Sequence, residues 1–530
     1  LARTVKRDGR VLEPEEPLGD KRTLSLAGLE PGDFAEWAWI RGVPSRGAAV
    51  PGFTADAFYF RGDTPLWRSI YAVAAPPSVA VEADAHHMPA PELRSDGGRT
   101  VLRFVREDVP PLLPEPNAPS EAEHIGFVQV GAGARQDALA RAMADGLIEA
   151  FRASGEVKAL AAEIAASVPA AERGTDALPR AAYRRVTELI LGPSGSFTEP
   201  AGAILSRGRG NRTILLKSVL DALGVKARVA LVRDFTRDPA PYRFPRPDLY
   251  AYAVLRVEHG GRVSWLDPTT RGTPFGALPG AARGADALVL PAPGEAVEVA
   301  RTPPDAGEER RVTRLGVAVD REGNATVDGA EEYRGFEAAG LRASIERLDA
   351  QARRQAVESA LSRSFRGPAL LDFQIDGEDA LDATLVLRWR ARVERWARVD
   401  GERAVVDAPI FPARLGARFL QRATRETSLL VAGDERTTLE LTVSLPQGWT
   451  PVPASTADVA SPFGRYRRVE RSDGGRLVRE DGYDLLRGRV VPGDYASFAG
   501  FASAVDAAQE EPMVFARSTL GDERPPVPGT

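Results

Sequence analysis

The chain has 530 residues and no cysteine, which excludes disulfides, thiolate metal sites and any cysteine nucleophile. A net charge of −5, with 43% hydrophobic and 27% charged residues, fits folded globular protein and lacks the basic excess of a nucleic-acid-binding domain. At about 100–200 residues per domain, roughly three or four domains are expected, and no apolar run approaches the ~20 residues of a membrane-spanning helix.

Residues 1–130 read as β. Alternating segments recur at 34–40, 55–60, 67–73, 79–83, 100–105 and 124–130, punctuated by turns such as Asp96-Gly97-Gly98, and this spacing predicts a β-sandwich. Trp37 and Trp39 share one strand face and are expected in a core. From residue 131 the period becomes helical, with predicted helices over 134–152, 157–168 and 179–191. The change marks a domain boundary.

Over 211–290 the two periods mix. Leu216, Val219, Leu220 and Leu223 form one buried helix face, with Asn211 as N-cap and Gly224 as its stop. Strands are expected at 225–233, 249–257 and 262–266, the first two separated by a proline-rich loop. Residues 291–308 read as a linker. Beyond it, Arg321-Glu322-Gly323-Asn324 marks a hairpin, one helical segment covers about 337–364, and strands follow at 384–393, 436–445, 465–470 and 476–483. The predicted architecture is multidomain α+β. It has an N-terminal β-sandwich (1–130), a central α+β core (131–300), a mainly β C-terminal domain with one helical segment (301–520) and a disordered proline-rich tail (521–530). The chain opens at Leu1 with no charged-then-apolar leader, so either a leader or longer N-terminal region has been removed or the chain is a fragment.

Between residues 208 and 290 the order helix, strand, strand carries Gly210-Asn211-Arg212, Tyr252 and Trp265-Leu266-Asp267-Pro268-Thr269. This constellation resembles the transglutaminase-like, papain-like superfamily. In that family a cysteine opens a helix, a histidine lies on a following strand and an aspartate ends the next. The helix N-terminus stabilises thiolate, the histidine shuttles the proton and the aspartate orients it. The family frame resembles Gly-Asp-Cys, then a helix ending Leu-Gly-Ile/Val-x-Ala-Arg; here Leu223-Gly224-Val225-Lys226-Ala227-Arg228 keeps the ending. Arg212 stands at the cysteine position and Tyr252 at the histidine position, while Asp267 is retained. A guanidinium cannot be a nucleophile, and a phenol is a poor base at neutral pH. The resemblance therefore implies a central core of transglutaminase-like, cysteine-protease-like fold with no intact catalytic residue: a pseudoenzyme. With the other two positions changed, Asp267 is expected to end its strand and cap the Asp-Pro-Thr turn; the alternative is an ion pair or hydrogen bond to it from Arg212 or Tyr252.

The flanks extend the resemblance. Phe60-Arg61-Gly62-Asp63-Thr64-Pro65 resembles the module that often precedes such bacterial cores, and Leu445-Pro446-Gln447-Gly448-Trp449 with Val491-Pro492-Gly493-Asp494-Tyr495 resembles the one that often follows. This three-module arrangement implies a periplasmic or otherwise exported protein. The preserved frame with its lost triad points to a binding or scaffolding role toward a protein, peptide or cell-wall glycan partner, with no cofactor. Tyr250, Tyr252 and Val254 alternate onto one strand face beside Trp265, which makes Tyr250, Tyr252 and Trp265 the candidate binding residues. Two other functions are open. One is a divergent amidase- or protease-like hydrolase with a serine, a threonine or a new acid/base pair, for which Ser206 and Thr213 are candidates although helix-start and loop chemistry accounts for them; the other is a passive spacer within a larger polypeptide. His86, His87, His124 and His259 lack metal-ligand spacing, and no metal site is expected.

Overall fold

A computed structural model of the chain describes residues 2–14, 25–37, 53–54, 57–191, 195–270, 272–304, 310–407 and 409–517. The chain divides into two compact units, Leu1–Ala49 and Val50–Thr530.

In the first unit β1 (Ala2–Val5) pairs antiparallel with β2 (Val11–Leu12) on one side and β3 (Phe34–Trp37) on the other. Lys6 pins the connection by an ion pair to Asp33 at 2.6 Å. Trp37, expected in a core, is instead 62% exposed. Every residue of β3 is exposed, so this strand has no buried face on which an aromatic ring could pack. Trp39 lies outside the described residues, as does the expected tail.

The second unit begins with two small sheets. Its strands are β4 (Phe53–Thr54), β5 (Phe58–Tyr59), β6 (Leu66–Ala75), β7 (Glu82–His86), β8 (Glu92–Asp96), β9 (Arg99–Val109) and β10 (Phe127–Ala132). β10 pairs with β4, β5 and β7, while β6, β9 and β8 form the second sheet. Phe60, Phe104, Val128 and Val130 form the apolar cluster that the two sheets share, with Tyr71 and Val73 against it.

Five helices follow: α1 (Gln136–Phe151), α2 (Gly155–Ser167), α3 (Ala177–Leu189), α4 (Ala201–Arg207) and α5 (Arg212–Ala222). α5 is the buried one. Ile214, Leu215, Leu216, Val219 and Leu220 are fully enclosed, each worth about 1.5–3 kcal/mol of apolar burial. Its ends are local chemistry. Asn211 Oδ1 accepts the Thr213 and Ile214 N–H groups at 3.0 and 3.3 Å, and Gly224 ends the helix at φ 71°, where a side chain would be strained.

Against the helices lies an antiparallel sheet of β11 (Lys226–Arg233), β12 (Tyr250–His259), β13 (Arg262–Leu266), β14 (Asp286–Val289) and β15 (Glu298–Arg301), in the order β13-β12-β11-β14-β15. The expected linker at 291–308 is therefore corrected: within it, Glu298–Arg301 is an edge strand paired along its whole length with β14. The proline-rich turn before it is irregular, as a linker would be.

The remainder is built on an eight-stranded sheet. β16 (Arg311–Val319) and β17 (Ala325–Tyr333) form the predicted hairpin, and α6 (Gly335–Ile345) and α7 (Ala350–Leu361) follow. Then come β18 (Ala369–Asp376), β19 (Leu385–Val393), β20 (Arg398–Asp400), β21 (Arg403–Val406), α8 (Leu415–Phe419), β22 (Leu429–Val431) and β23 (Glu435–Ser444). The last elements are β24 (Trp449–Val452), β25 (Ala457–Ser461), β26 (Gly464–Asp473), β27 (Arg476–Leu485), β28 (Gly488–Val490), α9 (Tyr495–Glu510) and β29 (Met513–Arg517). The large sheet runs β18-β19-β17-β16-β23-β27-β26-β25. One helical segment was expected here; four helices are present among the described residues. The 16-residue α9 buries Tyr495, Phe498, Phe501, Ala502 and Val505, a single apolar stripe at helical spacing. The chain as a whole is strand-rich, mixed α+β and multidomain.

Candidate functional site

The opening of α5, the end of β13 and the start of β12 converge. Arg212, the first residue of α5, is 2% exposed. Its Nε and Nη2 donate to the Ile190 carbonyl at the end of α3, at 2.9 and 2.5 Å. Its Nη1 donates to the Thr269 carbonyl at 3.1 Å and the Pro268 carbonyl at 3.4 Å. A cation at a helix N-terminus opposes the helix dipole, and carbonyl oxygens supply the negative potential that offsets it. The side chain works as a clamp between α3, α5 and the turn after β13.

Asp267 directly follows β13 and is 1% exposed. Its Oδ1 accepts the Thr269 N–H at 2.9 Å and the Thr269 hydroxyl, an Asx turn closed on itself. Its Oδ2 is buried with no hydrogen-bond partner. Burial pushes this carboxyl above the ordinary carboxylate range, and the Thr269 bonds only partly counter it. Asp267 thus caps its own turn, as its Asp-Pro-Thr motif leads one to expect, and the alternative hydrogen bond from Arg212 or Tyr252 to this carboxylate is not formed. Arg212 instead takes the carbonyls of the two residues after Asp267. The Asp267 carbonyl itself accepts from the buried Tyr183 hydroxyl at 3.0 Å, which also donates to Thr273 O at 3.0 Å. Sequence reasoning missed Tyr183. Its signal was a hydroxylated aromatic on the buried face of α3, where a phenol needs a partner.

Tyr252 is half-buried on β12. Burial raises its phenol above the ordinary value, and the Asp234 and Asp267 carboxylates add to the rise. It is a neutral hydroxyl at physiological pH, unable to act as a base. The expected alternation of Tyr250 and Tyr252 on one face is corrected by the ladder. Val232 pairs with Tyr252 but Arg233 pairs with Tyr250, so β12 has one extra residue, Ala251, in a bulge. A bulge inverts the facing of everything before it. Tyr252 and Val254 therefore pack with the cluster of Ala230, Val232 and Leu278 on one face of the sheet. Tyr250 packs on the helical side and accepts from Gln136 Nε2 at 2.9 Å. Trp265 is 7% exposed within the Tyr252-side cluster, a core position and not an open cleft wall.

Among the described residues, neither alternative nucleophile is hydrogen-bonded to a base. Thr213 Oγ1 is buried without a hydrogen-bond partner, and Ser206 Oγ donates back to Gly202 O at 2.8 Å within its own helix. His86 stacks on Phe127 and contacts Asp84 at 3.0 Å; His259 contacts the Arg173 carbonyl at 2.7 Å. His124 is half-buried, and desolvation lowers its pKa. No cluster of three or more metal-ligating side chains occurs among the described residues, and no helix is long and apolar enough to cross a membrane.

No family model matches the sequence, and no curated protein matches it. Among solved structures, a candidate protease from Parabacteroides distasonis aligns with a TM-score of 0.58 at 11% identity, over 97% of this chain and 88% of that one. At that identity the likeness is one of fold alone. A candidate cysteine protease from Cytophaga hutchinsonii aligns over 41% of this chain and 71% of that one at 12% identity; its TM-score of 0.19 is too low to carry an argument.

Proposed function

We propose that this is a catalytically silent transglutaminase-like protein of three modules that acts as a binding or scaffolding component of the bacterial cell envelope. One observation supports the reading above others. The residue that opens α5, where the fold's relatives in the resemblance carry their nucleophile, is a guanidinium fully engaged with backbone carbonyls. Tyr252, at the proton-shuttle position, is a neutral phenol, and Asp267 is spent on its own turn. On this reading the triad positions have become a structural joint, and the preserved frame serves recognition of a protein, peptide or glycan partner. Among the described residues, neither the Ser206 nor the Thr213 hydroxyl is hydrogen-bonded to the base that a divergent hydrolase needs, which favours this reading over that one.

The test is turnover by the purified chain on peptide, amide and amine-transfer substrates. Silence in all three agrees with the proposal. Turnover that disappears in Asp267→Ala, with the variant still folded, defeats it.

A further inference from the structure

A second site lies far from the α5 opening in sequence. A cavity of about 440 Å³ sits between the α6–α7 pair and the strands β16, β17, β18 and β19, within the volume range of small-molecule sites. Its walls are apolar: Leu341, Ile345, Leu348, Val357, Ile375 and Leu387 contribute from both layers. Phe411 and Pro412 close one end.

The polar groups divide into a charge-paired floor, where Arg311 Nε is buried without a hydrogen-bond partner, and an exposed rim. On the floor, Glu331 Oε2 accepts from Arg311 at 2.5 Å and from the Tyr333 hydroxyl at 2.6 Å, while Oε1 accepts from Trp389 Nε1 at 3.2 Å. The Arg311 guanidinium lies over the rings of Tyr333 and Phe411, 5.3 and 5.5 Å from their centroids. Exposed Glu337 adds a second negative charge acting on Arg311 and Tyr333. Arg353 is neutralised by both oxygens of Glu378 at 2.8 and 2.9 Å. The remaining lining cations are Arg363 and Arg414. Arg414 Nη2 donates to the Arg363 carbonyl at 3.0 Å, which brings the two residues together, and neither forms an ion pair with a carboxylate among the described residues.

The backbone marks the same place. Phe411 and Arg414 have φ of 47° and 51°, the left-handed region that non-glycine residues seldom occupy. Side-chain bonds hold the segment there. Phe411 N–H donates to Ser364 Oγ at 3.0 Å, Ala413 N–H to Gln509 Oε1 at 2.8 Å, and Leu415 and Gly416 N–H to Asp506 at 2.9 and 2.8 Å. Such strain persists only where surrounding structure over-determines it, and it concentrates at ligand sites. The rim is thus pre-formed.

We infer that this cavity binds a small amphipathic carboxylate, its acyl chain among Leu341, Ile345, Val357 and Phe411 and its carboxylate on Arg363 and Arg414. The apolar walls exclude a purely polar anion, and the cationic rim disfavours a neutral hydrocarbon. The site is independent of the α5 opening and of the function proposed for it.

The probe is dodecanoate, titrated calorimetrically into the full chain below its micellar range, with dodecanol as the uncharged comparison. Saturable binding at one site is expected, weakened at least tenfold by Arg363→Glu and abolished by Ala356→Trp, which fills the mouth from the exposed side of α7. Dodecanol binds at least tenfold more weakly. Thermal melts of both variants confirm that they fold. Absence of saturable dodecanoate binding, binding indifferent to both folded variants, or equal binding of dodecanol overturns the inference.

Discussion

The Arg212 guanidinium donates to the Thr269 carbonyl at 3.1 Å, and so ties the first residue of α5 to the turn that follows β13. The same side chain holds the end of α3 through Ile190. Three segments distant in sequence meet on one buried cation, at the position where the resemblance to cysteine-dependent enzymes would place a thiol.

Arg212→Met keeps the bulk of the side chain and removes its donors. The Ile190 carbonyl then stays buried without its partner, at about 1–3 kcal/mol, while the part-buried Thr269 carbonyl is open to water. A fall of that size in unfolding free energy, read from urea denaturation, is the expected outcome. An unchanged midpoint and slope would show that the clamp contributes nothing.

If the frame is transglutaminase-like, the double variant Arg212→Cys with Tyr252→His returns a thiol to a helix N-terminus and an imidazole to the facing strand. Such a thiol is acidified by the dipole and the neighbouring base. The pH profile of iodoacetamide alkylation should be half-maximal below about pH 7, against about 8.5 for a free thiol. An ordinary thiol profile in the folded double variant counts against the frame.

Asp267 makes a pH prediction with a definite sign. Its folded-state pKa is raised by burial. At low pH the carboxyl is protonated in both folded and unfolded chains. As pH rises above the ordinary carboxylate value the unfolded chain releases the proton first, so stability falls through that interval up to the raised value. Asp267→Asn removes this titration but keeps an acceptor for Thr269. The stability of the variant relative to the parent should therefore increase as pH rises from about 4 to about 8. A flat difference across that range in thermal melts would mean that Asp267 is not held at a raised pKa.

Tyr183→Phe removes one hydroxyl that serves two carbonyls, Asp267 O and Thr273 O. The expected cost is about 1–3 kcal/mol, since both acceptors lose a buried donor. If Tyr183 only fills space, the variant matches the parent in denaturation.

Local features were legible in advance. α5 could be read from residues within one turn of each end, because Asn211 caps and Gly224 terminates through contacts only a few residues long. The β16–β17 hairpin was legible for the same reason. Features that depend on a partner strand were not. The facing of Tyr250 is decided by a bulge at Ala251, visible only against β11. The strand Glu298–Arg301 exists because β14 offers it an edge, while its proline-rich approach reads as a connection. Trp37 shows the converse: an alternating strand with no layer against its ring.

By itself the sequence determined that no thiol exists anywhere in the chain and that an arginine opens the helix between Asn211 and Gly224. Composition and helix signals are properties of neighbours in the chain, so they need no fold to be read. Where the Arg212 donors go was decided only in three dimensions. Its acceptors lie 22 and 57 residues away, at Ile190 and Thr269. Coulomb attraction alone would have paired it with the nearby Asp267 carboxylate. That carboxylate closes onto Thr269, two residues on, in a turn legible from the Asp-Pro-Thr motif, while the tertiary structure presents the Ile190 and Thr269 carbonyls to the guanidinium.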